Sequence, residues 1–202
     1  MNHLIVVAHP VAESFTMALA RTFAGELEQL GHAHRTHDLY RMGFDPVLRA
    51  SELDASGTSP TPDSAVLEAQ RCLRAADVLT VIYPLWWLSM PAILKGYIDR
   101  VFARGFAYEA RGGQVHGLLT GKKCVLITLS GAPLAVLAER GRWNAVQLLQ
   151  DAHIFRSAGF ELLDHLHFDR IEPQLSSTIA ERYKTRVRSC ARQLFPSLPS
   201  AA

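Results

Sequence analysis

The stretch that decides the fold is LIVVAHPVAES, residues 4–14. Its first five residues are apolar and mostly β-branched, which is typical of a strand buried on both faces of a parallel sheet. The segment after it has apolar residues at helical spacing from Phe15 to Leu30, with Ser14 as a candidate N-cap and Gly31 at its end. The loop between strand and helix contains no glycine, so the GxGxxG pattern of a Rossmann dinucleotide site is absent.

Strands and helices alternate along the rest of the chain. Ser89 and Pro91 suit the N-cap and first turn of the middle helix, and Thr178 and Glu181 have capping-box spacing in the last helix. Residues 40–62 and 106–117 are expected to be irregular, the latter with a turn at its glycine pair. The expected strands are 34–39, 78–83, 124–129 and about 160–167, and the expected helices are 63–76, Pro91 to just before Gly105, about 141–156 and about 178–194.

This alternation predicts parallel strands joined by right-handed crossovers, with helices on both faces of the sheet. The second strand is polar, which places it at an edge. We therefore expect an α/β fold with a doubly wound, five-stranded parallel sheet of the flavodoxin-like type, in strand order 2-1-3-4-5. One domain would span residues 1–195, and residues 196–202 would be a frayed tail.

The composition excludes several classes of protein. Of the 202 residues, 49% are hydrophobic and 20% charged, and 21 basic residues against 19 acidic ones leave no nucleic-acid-binding charge excess. The three cysteines form no CxxC pair, so we expect no disulfides and a cytoplasmic protein. Neither a signal sequence nor an apolar run long enough for membrane insertion is expected.

Ligands of such sheets bind beyond the carboxyl ends of the strands where the strand order reverses, and three loops should meet there. In the first loop, Ser14 and Thr16 offer hydroxyls beside the free amides of a helix N-terminus, which is a phosphate site, and His9 could donate to a second phosphate oxygen. Equally, Ser14 could only cap the helix and His9 could satisfy a loop carbonyl.

The second and third loops differ in the strength of their signal. Residues 84–88, PLWWL, place two tryptophans where loops normally meet water, which indicates a stacked planar ligand or a subunit interface. One tryptophan could still pack in the core. Residues 130–132, SGA, would let the backbone approach a flat ring closely, although a generic turn explains them equally well.

Two other charged or titratable pairs are interpreted as structural. His165 and His167 point to one face of a strand, but they lack a third metal ligand, so we expect a half-exposed strand face rather than a metal site. Asp99 and Arg100 are expected to form a solvated or interfacial helix face.

Several segments together match a known family. They are His9-Pro10 with Ser14-Phe15-Thr16, Asp38-Leu39-Tyr40 with Phe44-Asp45-Pro46, Pro84-Leu85-Trp86-Trp87 with residues 91–97 and Arg100-Val101-Phe102, residues 105–108, and Gly159-Phe160. The chain resembles the NAD(P)H:quinone oxidoreductases of the DT-diaphorase type nearly as far as residue 170, most specifically in its middle segment.

The resemblance implies a flavodoxin-like homodimer with a non-covalent flavin, usually FAD with FMN as the alternative, and active sites at the subunit interface. NAD(P)H would be the co-substrate and a small molecule the electron acceptor. Tyr108 would face the substrate pocket of the partner subunit. The implied cofactor-binding residues are His9, Ser14, Phe15, Thr16 and Ala18 at the pyrophosphate, and Pro84, Leu85, Trp86, Trp87, Leu88, Leu129, Ser130, Gly131 and Ala132 around the flavin ring.

One departure from the family concerns catalysis. Better-known members carry a Tyr and a His after the fourth sheet strand that assist hydride transfer, and Leu134 and Arg140 occupy those places here. We therefore assign no catalytic residue and expect a ping-pong cycle in which the cofactor performs the chemistry. Azo dyes, nitroaromatics or free flavins could be the acceptor instead of quinones. The alternative from another class is a flavin-binding regulatory subunit of a glutathione-gated potassium efflux system.

Overall fold

The computed structural model describes residues 1–53 and 62–197, and a parallel sheet of five strands lies at its centre. The strands are β1 Asn2–Val7, β2 Ala33–Asp38, β3 Val78–Pro84, β4 Tyr108–Arg111, β5 Gln114–Gly117, β6 Lys123–Leu129 and β7 Glu161–Phe168. The sheet has the order β2-β1-β3-β6-β7, and all its neighbours are parallel. Numbered by sheet strands alone, this is the predicted flavodoxin-like order 2-1-3-4-5, with the polar β2 at an edge.

Helices cover both faces of the sheet. They are α1 Phe15–Gln29, α2 Ser64–Ala75, α3 Ala92–Val101, α4 Leu134–Ala138, α5 Arg142–Val146, a π-helix Gln147–Arg156 and α6 Ser177–Leu194, with short 3₁₀ turns at Ala50–Glu52 and Glu139–Gly141. In the described part of the chain, no helix combines the length and the apolar character needed to cross a bilayer. Residues 198–202 of the predicted tail and residues 54–61 of the predicted irregular stretch lie outside the described residues.

The alternation of side chains along the strands creates two apolar cores. Leu4 and Val6 of β1 face a core built with α2, α3 and the π-helix, whereas Ile5 and Val7 face a second core built with α1 and α6. Because both faces are covered, β1 and β3 are apolar nearly throughout, as the sequence predicted.

Two local predictions are wrong, and one short helix was not predicted. Residues 108–117 form the β4–β5 hairpin, whose turn is the glycine pair predicted there, instead of an irregular excursion. The helix expected at about 141–156 is confirmed as α5 and the π-helix, and the additional helix α4 precedes it, separated by Arg140 and Gly141, which have φ of 54° and 72°. The side chain that caps α6 is Ser176, which accepts from the N–H of Ile179 at 3.3 Å, because the helix starts earlier than expected.

The N-cap of α3 also differs from the prediction. Pro91 is the N-cap and makes no side-chain hydrogen bond, and Ser89 lies outside the helix in the preceding turn. Gly96, inside this helix, is required by packing, because a Cβ there would lie 2.2 Å from the carbonyl oxygen of Pro46. Two segments of the family motif, around Pro46 and around Gly96, therefore touch each other for structural reasons.

Arg100 is not on a solvated or interfacial helix face, as the sequence suggested, but is buried with a side chain 1% exposed. Its guanidinium donates to Glu52 at 3.0 Å, to Asp63 at 2.9 Å and to the carbonyl oxygen of Asp45 at 2.6 Å. Asp99, its neighbour in sequence, is exposed and pairs with Lys95, as a surface residue would. Arg100 therefore joins three chain segments that are distant in sequence.

Candidate functional site

The three loops predicted to form the site do meet at the carboxyl edge of the sheet, because β1, β3 and β6 are neighbours. The ring of His9 in the first loop lies 5.9 Å from the ring of Trp86 in the second. The N–H of Leu85 in the second loop donates to the carbonyl oxygen of Leu129 at the start of the third, at 2.7 Å. The loops therefore line one continuous edge.

In the first loop, the amino end of α1 is available to an anion. Ser14 caps the helix, since its hydroxyl accepts from the N–H of Met17 at 3.3 Å. Among the described residues, the amides of Phe15 and Thr16 have no acceptor. Thr16 is only 3% exposed. Ala18 is half-buried one turn further along the helix.

The ring of His9, at the start of this loop, is held by the backbone of Val11. Its Nδ1 lies 3.1 Å from the amide nitrogen and 3.2 Å from the carbonyl oxygen of Val11. Burial lowers the pKa of His9. Arg41, which the sequence reasoning missed, donates to the carbonyl oxygens of His9 and Pro10, both at 2.7 Å. The only sequence signal for Arg41 is its position after the Asp38–Tyr40 motif.

The second loop is a tight turn with two non-glycine residues in the left-handed region. Trp86 and Ser89 exchange backbone hydrogen bonds of 3.1 and 3.0 Å, and Trp87 and Leu88 between them have φ of 54° and 60°. Such backbone costs on the order of 1 kcal/mol per residue and is found where function requires it. The turn leaves Trp87 fully exposed and Trp86 42% exposed, so neither tryptophan is a core residue. Pro84 and Leu85, in contrast, are buried.

The buried side-chain amide of Gln150 holds this strained turn by a hydrogen bond. Gln150, in the π-helix, donates through Nε2 to the carbonyl oxygen of Leu88 at 3.1 Å. Its Oε1 accepts from the hydroxyl of Tyr83 at the end of β3. Burial raises the pKa of Tyr83, which keeps that hydroxyl protonated as a donor. Gln150 was not predicted, because nothing in its local pattern shows which turn it will meet.

The third loop is fixed at its start and open in its middle. The N–H of Ser130 donates to Phe168, and its carbonyl oxygen accepts from Ile171, both at 2.9 Å. Gly131 is exposed, and a Cβ added there would have only the carbonyl oxygen of Ile171 within 4 Å, at 3.6 Å. The protein itself therefore has room for a side chain at this position.

A cavity of about 910 Å³ lies beside the second loop. Of the predicted site residues, it is lined by Trp87, Leu88 and Tyr108, and the other residues of the three loops lie outside it. Its remaining walls come from α3, the β4–β5 hairpin, α5 and the π-helix. The residues predicted to contact the phosphate and the flavin ring therefore lie along the sheet edge, and Tyr108, predicted to face the substrate, lines an adjoining cavity.

Comparison with known proteins decides the family. The sequence profile described as the flavodoxin-like fold matches residues 1–190. The chain belongs to the flavodoxin-like family. A Haemophilus influenzae protein named uncharacterized NAD(P)H oxidoreductase is 30% identical over 96% of this chain and 99% of its own length.

Two further relatives of this flavodoxin-like chain carry more specific names. Mouse ribosyldihydronicotinamide dehydrogenase [quinone] is 35% identical over 68% of this chain and 67% of its own length. The solved structure of the NAD(P)H:quinone oxidoreductase from Methanothermobacter marburgensis is 28% identical, with a TM-score of 0.84 over 96% of each chain. The resemblance found in the motifs is confirmed, and the chain is an oxidoreductase of this family.

In this flavodoxin-like chain, His165 and His167 do not form the half-exposed strand face that the sequence predicted. The rings pack against Trp143, with centroids 5.2 and 4.6 Å from its ring. Nδ1 of His165 lies 2.9 Å from Asp151, and its Nε2 lies 2.8 Å from the hydroxyl oxygen of Thr128. That oxygen also lies 2.8 Å from Nδ1 of His167. Among the described residues, no group of three side chains is arranged to hold a metal ion.

The places of the Tyr and His known from other members hold side chains of different chemistry. Leu134 begins α4, and its N–H donates to Asp169 at 2.7 Å. Arg140 is exposed and lies in the left-handed region next to Gly141. Neither side chain can cycle a proton near neutral pH, because leucine has none to give and an arginine stays charged.

Proposed function

We propose that the chain is a flavin-dependent NAD(P)H oxidoreductase that reduces quinones or similar small molecules by two electrons. The observation that carries this proposal is the meeting of the three loops at one sheet edge, with the exposed Trp86 of the second loop 5.9 Å from the ring of His9 in the first, the loop that leads to the open amides of α1. A planar ring that carries phosphate needs both features together.

The described residues fit a flavin. The free amides of Phe15 and Thr16 at the positive end of α1, with His9 nearby, would hold phosphate oxygens. The second loop and the stretch Leu129–Ala132 would flank the ring, and Gly131 leaves room for its close approach. FAD is our preferred cofactor and FMN the alternative. When bound, the flavin supplies acceptance of a hydride from NAD(P)H and its onward transfer.

The chain's own residues would bind and orient the reactants. Trp87 and Leu88 offer an apolar wall between the sheet edge and the cavity, and Tyr108 reaches the same cavity from the hairpin. Gln150 holds the turn that presents this wall. Since one apolar cavity adjoins the ring site, we propose that NAD(P)H and the acceptor use it in turn, which is a ping-pong cycle.

A homodimer that covers this cavity is part of the proposal. Trp87 is 100% exposed, and two other apolar residues of the cavity, Val115 and Leu149, are 58% and 60% exposed. Apolar side chains exposed together around a cavity are typical of an interface. The partner subunit would shield them from water and close the site.

We expect Leu149→Glu to weaken the dimer, because the charge would have to be desolvated in the interface. The expected loss is roughly tenfold in the dissociation constant, measured by analytical ultracentrifugation. The matched control is Leu67→Glu, at a residue of α2 that is 51% exposed and away from the cavity. Equal effects of both variants, or a wild-type monomer at micromolar concentration, would contradict the proposed interface.

The proposed activity is tested by anaerobic mixing. The protein is loaded with FAD or FMN and mixed with NADH or NADPH, and we expect the visible flavin absorbance to bleach and to return on addition of a quinone. Mass analysis of the flavin that co-purifies separates FAD from FMN. A protein that binds neither flavin, or that binds one without bleaching, would refute the oxidoreductase function. Bleaching without turnover of any quinone, azo or nitroaromatic acceptor would favour a regulatory role.

A further inference from the structure

The buried histidines belong to a chain of hydrogen bonds that ends in the third loop of the site. Nε2 of His167 lies 3.0 Å from the hydroxyl oxygen of Ser130, and that hydroxyl donates to the carbonyl oxygen of Ala132 at 2.7 Å. From this end to Asp151, each hydrogen bond shares a side chain with the next. The chain connects the π-helix with the loop proposed to flank the flavin.

The direction of each bond follows from the Ser130 end. A carbonyl oxygen only accepts, so the single hydroxyl proton of Ser130 is used in the bond to Ala132. Nε2 of His167 must then donate to Ser130. Burial, with the neighbouring His165 as the next contribution, lowers the pKa of His167 to about 4. Near neutral pH this ring therefore carries one proton, on Nε2, and its Nδ1 accepts from Thr128.

The same reasoning fixes the proton count at the other end. The hydroxyl of Thr128 already donates its only proton in the hydrogen bond to His167, so Nε2 of His165 must donate to the oxygen of Thr128. Nδ1 of His165 lies 2.9 and 3.0 Å from the two carboxylate oxygens of Asp151. Since an unprotonated ring nitrogen and a carboxylate are both acceptors, one proton must lie between Nδ1 and the carboxylate. In this arrangement the His165–Asp151 pair holds that bridging proton in addition to the one on Nε2.

Loss of one proton from the pair reverses the whole chain. His165 then keeps only its Nδ1 proton for Asp151, and its Nε2 accepts from Thr128. His167 carries its proton on Nδ1 and donates to Thr128. The hydroxyl of Ser130 turns to Nε2 of His167 and leaves the carbonyl oxygen of Ala132 without its bond. The proton state of a buried pair is thereby transmitted to the third loop.

We propose that His165, Thr128, His167 and Ser130 form a proton relay from Asp151 to the third loop, beside the proposed flavin ring. The inference rests on the proposed function, because a quinone that receives a hydride becomes a hydroquinone anion and needs one proton to complete the reduction. The sites of the family's Tyr and His hold Leu134 and Arg140, which cannot supply it. His165, Thr128 and His167 are positioning residues, since they act through Ser130.

The transfer balances atom by atom. For an acceptor that extends from the cavity over the flavin ring to the third loop, the O–H bond of Ser130 breaks as an O–H bond forms on the hydroquinone anion, and the Nε2–H of His167 replaces it. The hydroxyl proton of Thr128 moves to Nδ1 of His167, and the Nε2–H of His165 moves to Thr128. The His165–Asp151 pair ends with one proton fewer and regains it from water between turnovers.

Other charged groups face the relay but stand outside it. Asp164 accepts from the backbone N–H of His165 at 2.8 Å. The charge of Asp169 favours the protonated form of His167, whereas Arg186 on α6 disfavours it. Trp143 covers both rings and is neutral.

The relay is tested first in the flavin-free protein by ¹⁵N NMR of the imidazole rings. Near neutral pH we expect His167 to carry its proton on Nε2. As the pH is raised, this proton should move to Nδ1 in the wild type but not in Thr128→Val. A His167 proton that stays on Nε2 at every pH below unfolding would overturn the relay.

The second arm measures quinone reduction by the flavin-loaded enzyme. Thr128→Val should lower kcat roughly tenfold with little change in KM, and should change the pH profile and the solvent isotope effect of kcat. The matched control is Thr80→Val on the adjacent strand β3, whose buried hydroxyl has no partner among the described residues. If the wild type is active and both variants equal it, the relay fails while the function stands. If NADH and NADPH never bleach the wild-type flavin, the function fails, and the NMR result still decides the proton coupling.

Discussion

Arg100→Met should lower the free energy of unfolding by about 3 kcal/mol, because it leaves a buried carboxylate without its cation. Glu52 is 6% exposed and would lose the guanidinium that now donates to it at 3.0 Å. Asp63 is 46% exposed, so water replaces part of what it loses, and the expected effect is at the low end for a broken buried pair. Urea unfolding followed by circular dichroism measures this change.

The same substitution at an exposed arginine is the control. Arg71 pairs with Glu68 on the surface of α2, and its side chain is 71% exposed. Arg71→Met should leave the unfolding midpoint nearly unchanged, because exposed ion pairs contribute little. If Arg100→Met were as harmless as Arg71→Met, the buried cluster would not stabilise the fold, and the pairing of Arg100 would have to serve another purpose.

Gly131→Ala should weaken flavin binding roughly 10- to 100-fold, since a methyl group forced into a close contact costs about 1–3 kcal/mol. The flavin-free protein should be as stable as the wild type, because the added Cβ meets only the carbonyl oxygen of Ile171, at an ordinary 3.6 Å. Fluorescence titration with FAD and with FMN gives the two affinities, and thermal unfolding without flavin gives the stability.

Gly25→Ala provides the matched control for this substitution. Gly25 lies in α1 with nothing within 4 Å of an added Cβ. This variant should bind flavin as the wild type does and be slightly more stable, because alanine favours a helix over glycine. Unchanged flavin affinity in Gly131→Ala would show that the third loop does not approach the ring, and would remove Leu129–Ala132 from the proposed site.

The order of the sheet and the three loops that meet at its carboxyl edge could be predicted because they depend on patterns short enough to see in the chain. The apolar run of β1 and the helical spacing after Ser14 indicate strand and helix locally. Alternation then restricts the topology, and the position of PLWWL after β3 brings it to the carboxyl edge. Turn details were less predictable: Ser176 became the N-cap of α6 in place of Thr178, which has a similar local preference, and Pro91 became the N-cap of α3 although Ser89 has the stronger one.

What only the tertiary structure decided is which polar side chains would be buried together. Arg100 and His165 look like surface residues in their own segments. The side-chain partners of Arg100 are at least 37 residues away in the sequence, and those of His165 at least 14. Gln150 supports a turn 62 residues earlier in the chain. The sequence by itself determined the α/β architecture and the three loops, because backbone geometry repeats every few residues. Which partner a buried polar group finds depends on how distant elements pack against each other. The group needs a partner only because folding removes it from water, so its local sequence does not show the pairing.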